Sequence, residues 1–95
     1  MTTDASFQMI AKEKIKFLHF PKQDVLSEKN DQVNRFLNLK RALSLGNLER
    51  EKVKILFADD SGIKKVETTI WGVTDKAVIL KQSTIIPLER IISVA

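Results

Sequence analysis

From Val53 to Val94 apolar residues recur at close to every second position, a period that fits β-strands and rules out a mainly helical C-terminal half. Val53, Ile55 and Phe57 alternate with Lys52, Lys54 and Leu56, and ADDSG (58–62) then supplies the acid-and-glycine chemistry of a hairpin. A long second strand is expected over about Lys64–Thr74, bent at Gly72, where no side chain resists curvature. Asp75 and Lys76 make the next turn. AVILKQ (77–82) follows as a strand apolar on both faces, which implies a central or covered position. STIIPLERIISV (83–94) reads as two short strands, with Pro87 to Arg90 as a one-turn corner.

Upstream, the period changes. DQVNRFLNLKRALSLGN (31–47) sets Val33, Phe36, Leu37 and Leu43 on a helical stripe that Leu39 and Ala42 widen. Asn30 or Asp31 is placed to cap this helix, and Gly46 to end it in the left-handed conformation. Arg35, Lys40 and Arg41 are expected off the stripe or on its margin, the last two complementing the helix dipole. Before it, PKQDVLSEKND (21–31) has the composition of a connector. The first segment fits a helix by Phe7, Ile10, Ala11 and Leu18, with Asp4 near its start and Pro21 past its end, although Lys14–Phe20 also alternates like a strand. The expectation is an α+β protein: an N-terminal extension over 1–30 carrying a first helix, then one domain over 31–95. In that domain a helix precedes a five-stranded, strongly bent antiparallel barrel.

KVKILFADDSGIKKVETTIWGVTDKAVILKQSTIIPLERIISV (52–94) resembles a small Sm-like or SH3-like barrel in its hairpin, its bent strand before Asp75 and its closing IPLERIISV. That closing pattern, 86–94, is similar to the end of the Rho-binding antiterminator family, whose barrel is Sm-like. The chain also resembles small bacterial proteins of unassigned activity that carry the ETTIW signature, here Glu67–Trp71. In Sm proteins an Asp followed closely by an Asn holds RNA bases in the turn after the bent strand. Here Asp75 stands without an Asn in 73–80, and Arg90 lacks the Arg-Gly pair of the closing corner. The resemblance thus implies the fold without that RNA site, since one fold hosts many functions.

Several chemistries are excluded or weak. With no cysteine there is no disulfide, thiolate ligand or thiol nucleophile. His19 is the only histidine and has no patterned second ligand beside it. Asp59 and Asp60, adjacent at a strand end, are expected to bond the turn backbone rather than hold Mg2+ or act as an acid-base pair. Glu49, Arg50, Glu51 and Lys52 read as a solvated charge mixture, and the three glycines form no phosphate loop. No apolar leader or membrane-spanning run is present, which fits a cytoplasmic protein.

The formal charge of +4 is spread as +1 over 1–30, +2 over 31–52 and +1 over 53–95, so no basic stripe is visible in the linear sequence. Lys64, Lys65, Lys81 and Arg90 can still gather at one end of a barrel to meet phosphate, or can simply guard strand edges. Trp71, the only tryptophan, is expected beneath Phe36 and Leu37 of the helix, with partner contact and base stacking as alternatives. The function expected is that of a non-enzymatic interaction module, docking a protein partner or a second copy. Nucleic-acid binding is the alternative, and no cofactor, metal, membrane or small-molecule substrate is implied. The candidate contact residues are Arg35, Lys40, Arg41, Lys64, Lys65, Trp71 and Arg90.

Overall fold

The computed structural model describes residues 7–49 and 52–95, the last turn of the helix by its backbone alone. Asp4, expected near a helix start, and the Arg50–Glu51 part of the charge mixture lie outside the described residues. The architecture is α+β: one long helix and seven strands, mostly antiparallel, in two sheets that do not close into a barrel.

The N-terminal segment is not the expected helix. It forms a two-residue strand, β1 (Gln8–Met9), and a six-residue 3₁₀ helix (Lys12–Phe17). β1 adds in parallel to the edge of β3 (Gly62–Thr68), and the 3₁₀ helix packs against β3 and β6 (Thr84–Pro87). The physical reason lies in Ile15. It is the one fully buried residue of this helix, so two tight turns suffice to deliver it to the core while Lys12, Glu13, Lys14 and Lys16 stay at or near the surface. From Phe7 onward this segment is tied to the strands and the closing corner: the amide of Asp60 donates to the His19 carbonyl, and that of Val25 to the Glu89 carbonyl.

Helix α1 (Lys29–Glu49) begins before Asn30 and Asp31, which stand in its first turn, and runs on through Gly46. Its buried side is also rotated from the expected stripe. Arg35 and Leu39 are buried with Ala42 and Leu43 half-buried, at i, i+4, i+7 and i+8, whereas Val33 and Leu37 face water. The rotation puts the Arg35 guanidinium against groups that satisfy it, and leaves Leu37 53% exposed.

β2 (Val53–Asp59) and β3 pair in full antiparallel register, Ile55 opposite Val66 and Phe57 opposite Lys64, with Asp59 opposite Gly62 closing the hairpin. Gly62 takes a φ of 148°, a region that L side chains rarely adopt, so the hairpin needs glycine there. β7 (Ile91–Val94) pairs with the other edge of β2, giving the order β1-β3-β2-β7. The long second strand breaks at Thr69, not Gly72, and continues as β4 (Ile70–Val73) in a second sheet with β5 (Ala77–Leu80) and β6. Thr74 makes the β4–β5 turn at Asp75–Lys76, its Oγ1 accepting from the amides of Lys76 and Ala77. The 3₁₀ corner Leu88–Arg90 links β6 to β7, where Pro87 was expected to open it.

Inward-facing residues of both sheets form one core: Ile55, Phe57, Val66 and Ile91 from the first, Ile70, Val78, Leu80 and Ile86 from the second, completed by Ile15 and Leu39. Each such side chain contributes about 1.5–3 kcal/mol when fully withdrawn from water. Among the described residues α1 packs chiefly on β4 and β7 rather than on β5 or β6.

Candidate interaction surface

Three of the six candidate cations are turned inward. Arg35, 6% exposed, forks onto Asp24: Nη1 donates to Oδ1 and Nη2 to Oδ2, both at 2.8 Å, and Nη1 also reaches the Ile91 carbonyl at 3.1 Å. Its Nε finds no acceptor. The guanidinium beside Asp24 holds that carboxyl below the usual carboxylate range, despite an opposing contribution from burial. Arg90 is buried with Nε on the Ala58 carbonyl (2.9 Å), Nη1 on that of Gln23 (2.6 Å) and Nη2 toward that of Asp59 (3.5 Å). Lys64 is buried with Nζ 3.1 Å from Asp59 Oδ1 and 3.0 Å from Ser61 Oγ. These three were expected at the surface, and each instead satisfies backbone or carboxylate groups inside the domain.

Asp59 and Asp60 differ in just the way a structural turn requires. Asp59 is buried and accepts from the amides of Ser61 and Gly62, both at 3.0 Å, besides Lys64. Burial alone raises its carboxyl, but the bonds from Lys64 and Ser61 outweigh that and bring it below the ordinary value. Asp60 and His19 are exposed, joined only through the main chain. Among the described residues no group of three His, Asp or Glu is placed to hold a metal ion. An open groove of about 790 Å³ runs between α1 and the β4–β5 turn, with Lys29, Asp75, Lys76 and Glu89 mixing both charges on its walls and Val33 and Phe36 supplying apolar surface.

The cations that remain outside do not converge on one element. Lys40 lies over the Phe36 ring at 5.8 Å from its centroid, with Arg41 exposed beside it on α1. Lys65 is half-buried on β3, 4.5 Å from the Phe7 ring centroid. No helix among the described residues is long and apolar enough to cross a membrane.

Trp71 departs furthest from expectation. It is not covered by Phe36 and Leu37 but stands 55% exposed. The cause is a bulge in β4: Ile70 pairs with Leu80 and Gly72 with Ile79, which leaves Trp71 as the extra residue between two ladder positions. Gly72 itself is not a steric necessity, since a Cβ there would meet Ile79 Cδ1 at an ordinary 3.6 Å. Ile79 pairs with Ile85, and strand neighbours opposite one another share a face, so Gly72, Ile79 and Ile85 form one row across the second sheet with Trp71 at its β4 margin. Ile85, at the β6 margin, is 53% exposed.

The composition of this sheet is unusual. Its strands read IWGV, AVIL and TIIP, four residues each, and contain no charge. An antiparallel sheet with one wet face normally alternates apolar and polar residues, but here apolar side chains lie on both faces: Val78, Leu80 and Ile86 are buried on the inner one, while on the outer one Ile79 is half-buried and Ile85 exposed. The sequence already shows the double-sided pattern of β5. It does not show that the helix packs on β4 and β7 rather than on β5 and β6, nor that Ile85 is exposed with Trp71. Comparison with known proteins adds no guide: no family model, curated protein or solved structure matches the chain.

Proposed function

We propose that the chain is a non-enzymatic interaction module that docks a protein through the outer face of the β4-β5-β6 sheet, with Trp71 as its anchor. The observation that carries this reading is a sheet whose strands hold no charge and whose margins expose Trp71 and Ile85, with Ile79 half-buried between them. Exposed Trp is costly to leave solvated and is enriched among the anchors of protein interfaces, where a few such residues dominate affinity. The same reading takes the two sheets as an open form of an Sm-like or SH3-like small barrel. Its support is the strand path: β7-β2-β3 in one sheet, β3 running into β4 across a break at Thr69, then β4-β5-β6, with a 3₁₀ corner from β6 back to β7.

The nucleic-acid alternative is weakened by the inward turn of Arg35, Lys64 and Arg90. Lys40, Arg41 and Lys65, which remain, lie on two different elements, and phosphate binding needs cations that act together. Capture of bound protein on immobilised wild-type chain and on Trp71→Ala tests the docking reading. The expected result is a captured partner whose recovery falls about tenfold or more with the substitution. Capture that is indifferent to Trp71, or oligonucleotide binding at low salt that Lys40 and Arg41 support, would sink it.

A further inference from the structure

We propose that α1 carries a second docking surface, separate from the β4-β5-β6 sheet, and that its occupant is an acidic amphipathic helix of another protein. At about 100° per residue, Lys29, Val33, Phe36, Leu37 and Lys40 fall within an arc of about 100°, rotated from the buried Arg35 and Leu39. Val33 and Leu37 are 45% and 53% exposed, and Phe36 is half-buried at the edge of the arc. Val33, Phe36, Leu37 and Lys40 repeat at i, i+3, i+4 and i+7, the spacing by which one helix seats another. Such a stripe is normally the covered side of a helix, and here the inward turn of Arg35 leaves it open to a partner.

The charges select what can lie on it. Lys29 and Lys40 stand at the two ends of the stripe, about 16 Å apart along the helix axis, and Arg41 is exposed beside Lys40. Lys40 Nζ is 5.8 Å from the centre of the Phe36 ring, so cation and apolar surface form one patch. From Lys29 to Leu45 the only acid is Asp31, which lines the smaller groove between α1 and β7 with Asn34 and Asn38, away from the stripe. An apolar seam with cations at both ends and no acid is complementary to a helix whose own apolar seam is edged by Asp or Glu. A second copy of α1 would instead set lysine against lysine.

The surroundings favour a peptide over nucleic acid or a lipid surface. Lys29, Val33 and Phe36 form one wall of the groove of about 790 Å³, and its other walls carry Asp75, Lys76 and Glu89. A helix can press an acidic edge on α1 and turn a different edge to Asp75 and Glu89. A run of phosphates cannot, because its charge has the same sign on every side. Val33 and Leu37 also offer no flat ring on which a base could stack. The stripe is about three turns long, so a partner segment of about 12–15 residues covers it.

Amide NMR on the full chain, titrated with synthetic peptides of about 15 residues, tests this. One peptide carries leucines at i, i+3, i+4 and i+7 flanked by Glu, a second replaces each Glu by Lys, and a third scrambles the first. The first is expected to bind with a dissociation constant between about 10 μM and about 1 mM, with shifts centred on Val33, Leu37 and Lys40. The other two are expected to bind about tenfold more weakly or less. Lys40→Glu with Arg41→Glu, both at exposed positions, is expected to weaken the Glu peptide about tenfold or more and to strengthen the Lys peptide, with the thermal transition still cooperative. Leu37→Ala, which leaves the charge alone, is expected to weaken the Glu peptide several-fold, and Trp71→Ala to leave it unchanged. Absence of binding by the Glu peptide at about 1 mM overturns the inference. So does equal binding of the scrambled peptide, binding that survives the charge reversal, or shifts centred on Trp71. A single-stranded oligonucleotide or a phosphatidylserine vesicle that displaces the Glu peptide and binds more tightly also overturns it, in favour of a polyanion. Capture through Trp71 is read separately, so either surface can fail while the other stands.

Discussion

Arg35 and Asp24 show how a buried charge decides the orientation of its surroundings. A planar guanidinium that meets a carboxylate with two parallel bonds is held in one geometry, and removing the carboxylate strands Arg35 in a dry site. Arg35→Ala is expected to cost about 3–5 kcal/mol in a urea titration. Asp24→Ala should cost at least as much, because it strands a guanidinium that is only 4% exposed, whereas the Asp24 carboxylate left by Arg35→Ala retains 27% exposure and can be hydrated. Acid reports the same bonds. Asp24 and Asp59 both titrate below their unfolded value, so each contributes stability that is present above the unfolded pKa and lost as pH falls through the folded one. The melting temperature should therefore decline from about pH 4 downward on their account, and Asp24→Asn should flatten that decline. None of this was legible in the sequence. Arg35 reads as a cation off an apolar stripe, and nothing in a polar connector marks Asp24 as the partner that draws it inward.

At the scale of elements, two connections carry predictions. Gln82 and Ser83, between β5 and β6, both take positive φ, at 64° and 62°. Neither residue type favours this conformation, and paired left-handed positions in a hairpin suit Asn-Gly. The double change Gln82→Asn with Ser83→Gly is expected to stabilise the domain by about 0.5–1 kcal/mol, seen as a higher urea midpoint with an unchanged slope. Ile15 is the fully buried anchor of the N-terminal arm, with Ile10, Leu18 and Phe20 half-buried against the same core. Ile15→Ala should cost about 2–4 kcal/mol and release the amide of Ile10, which donates to the Lys65 carbonyl, to faster hydrogen exchange. Strands β2, β3 and β5 and the corner at Pro87 were readable from alternation and turn chemistry. The arm was not, because one buried isoleucine in a charged segment fits a helix, a strand or two tight turns equally well. The strand break was misplaced for a related reason: Gly72 looked like the bend, but Thr69 separates the two sheets and a bulge absorbs the curvature.

Across the whole molecule, net charge misleads as a guide to partners. Three of the candidate cations serve the interior, and no oligonucleotide binding is expected that survives ordinary salt; a slope in binding against salt of only one or two phosphates would agree. The apolar sheet gives the opposite lesson. Its lack of charge is plain in the sequence, and only the structure reveals that Trp71 and Ile85 are exposed at its margins. Arg90 has a consequence for how this chain tolerates change. It grips three carbonyl oxygens, including that of Gln23, and a carbonyl belongs to every residue type. The path of the connector is thus fastened without reference to its side chains there. Exchanging Gln23 for almost any residue should be silent, while the fastening itself depends on one arginine 67 positions away.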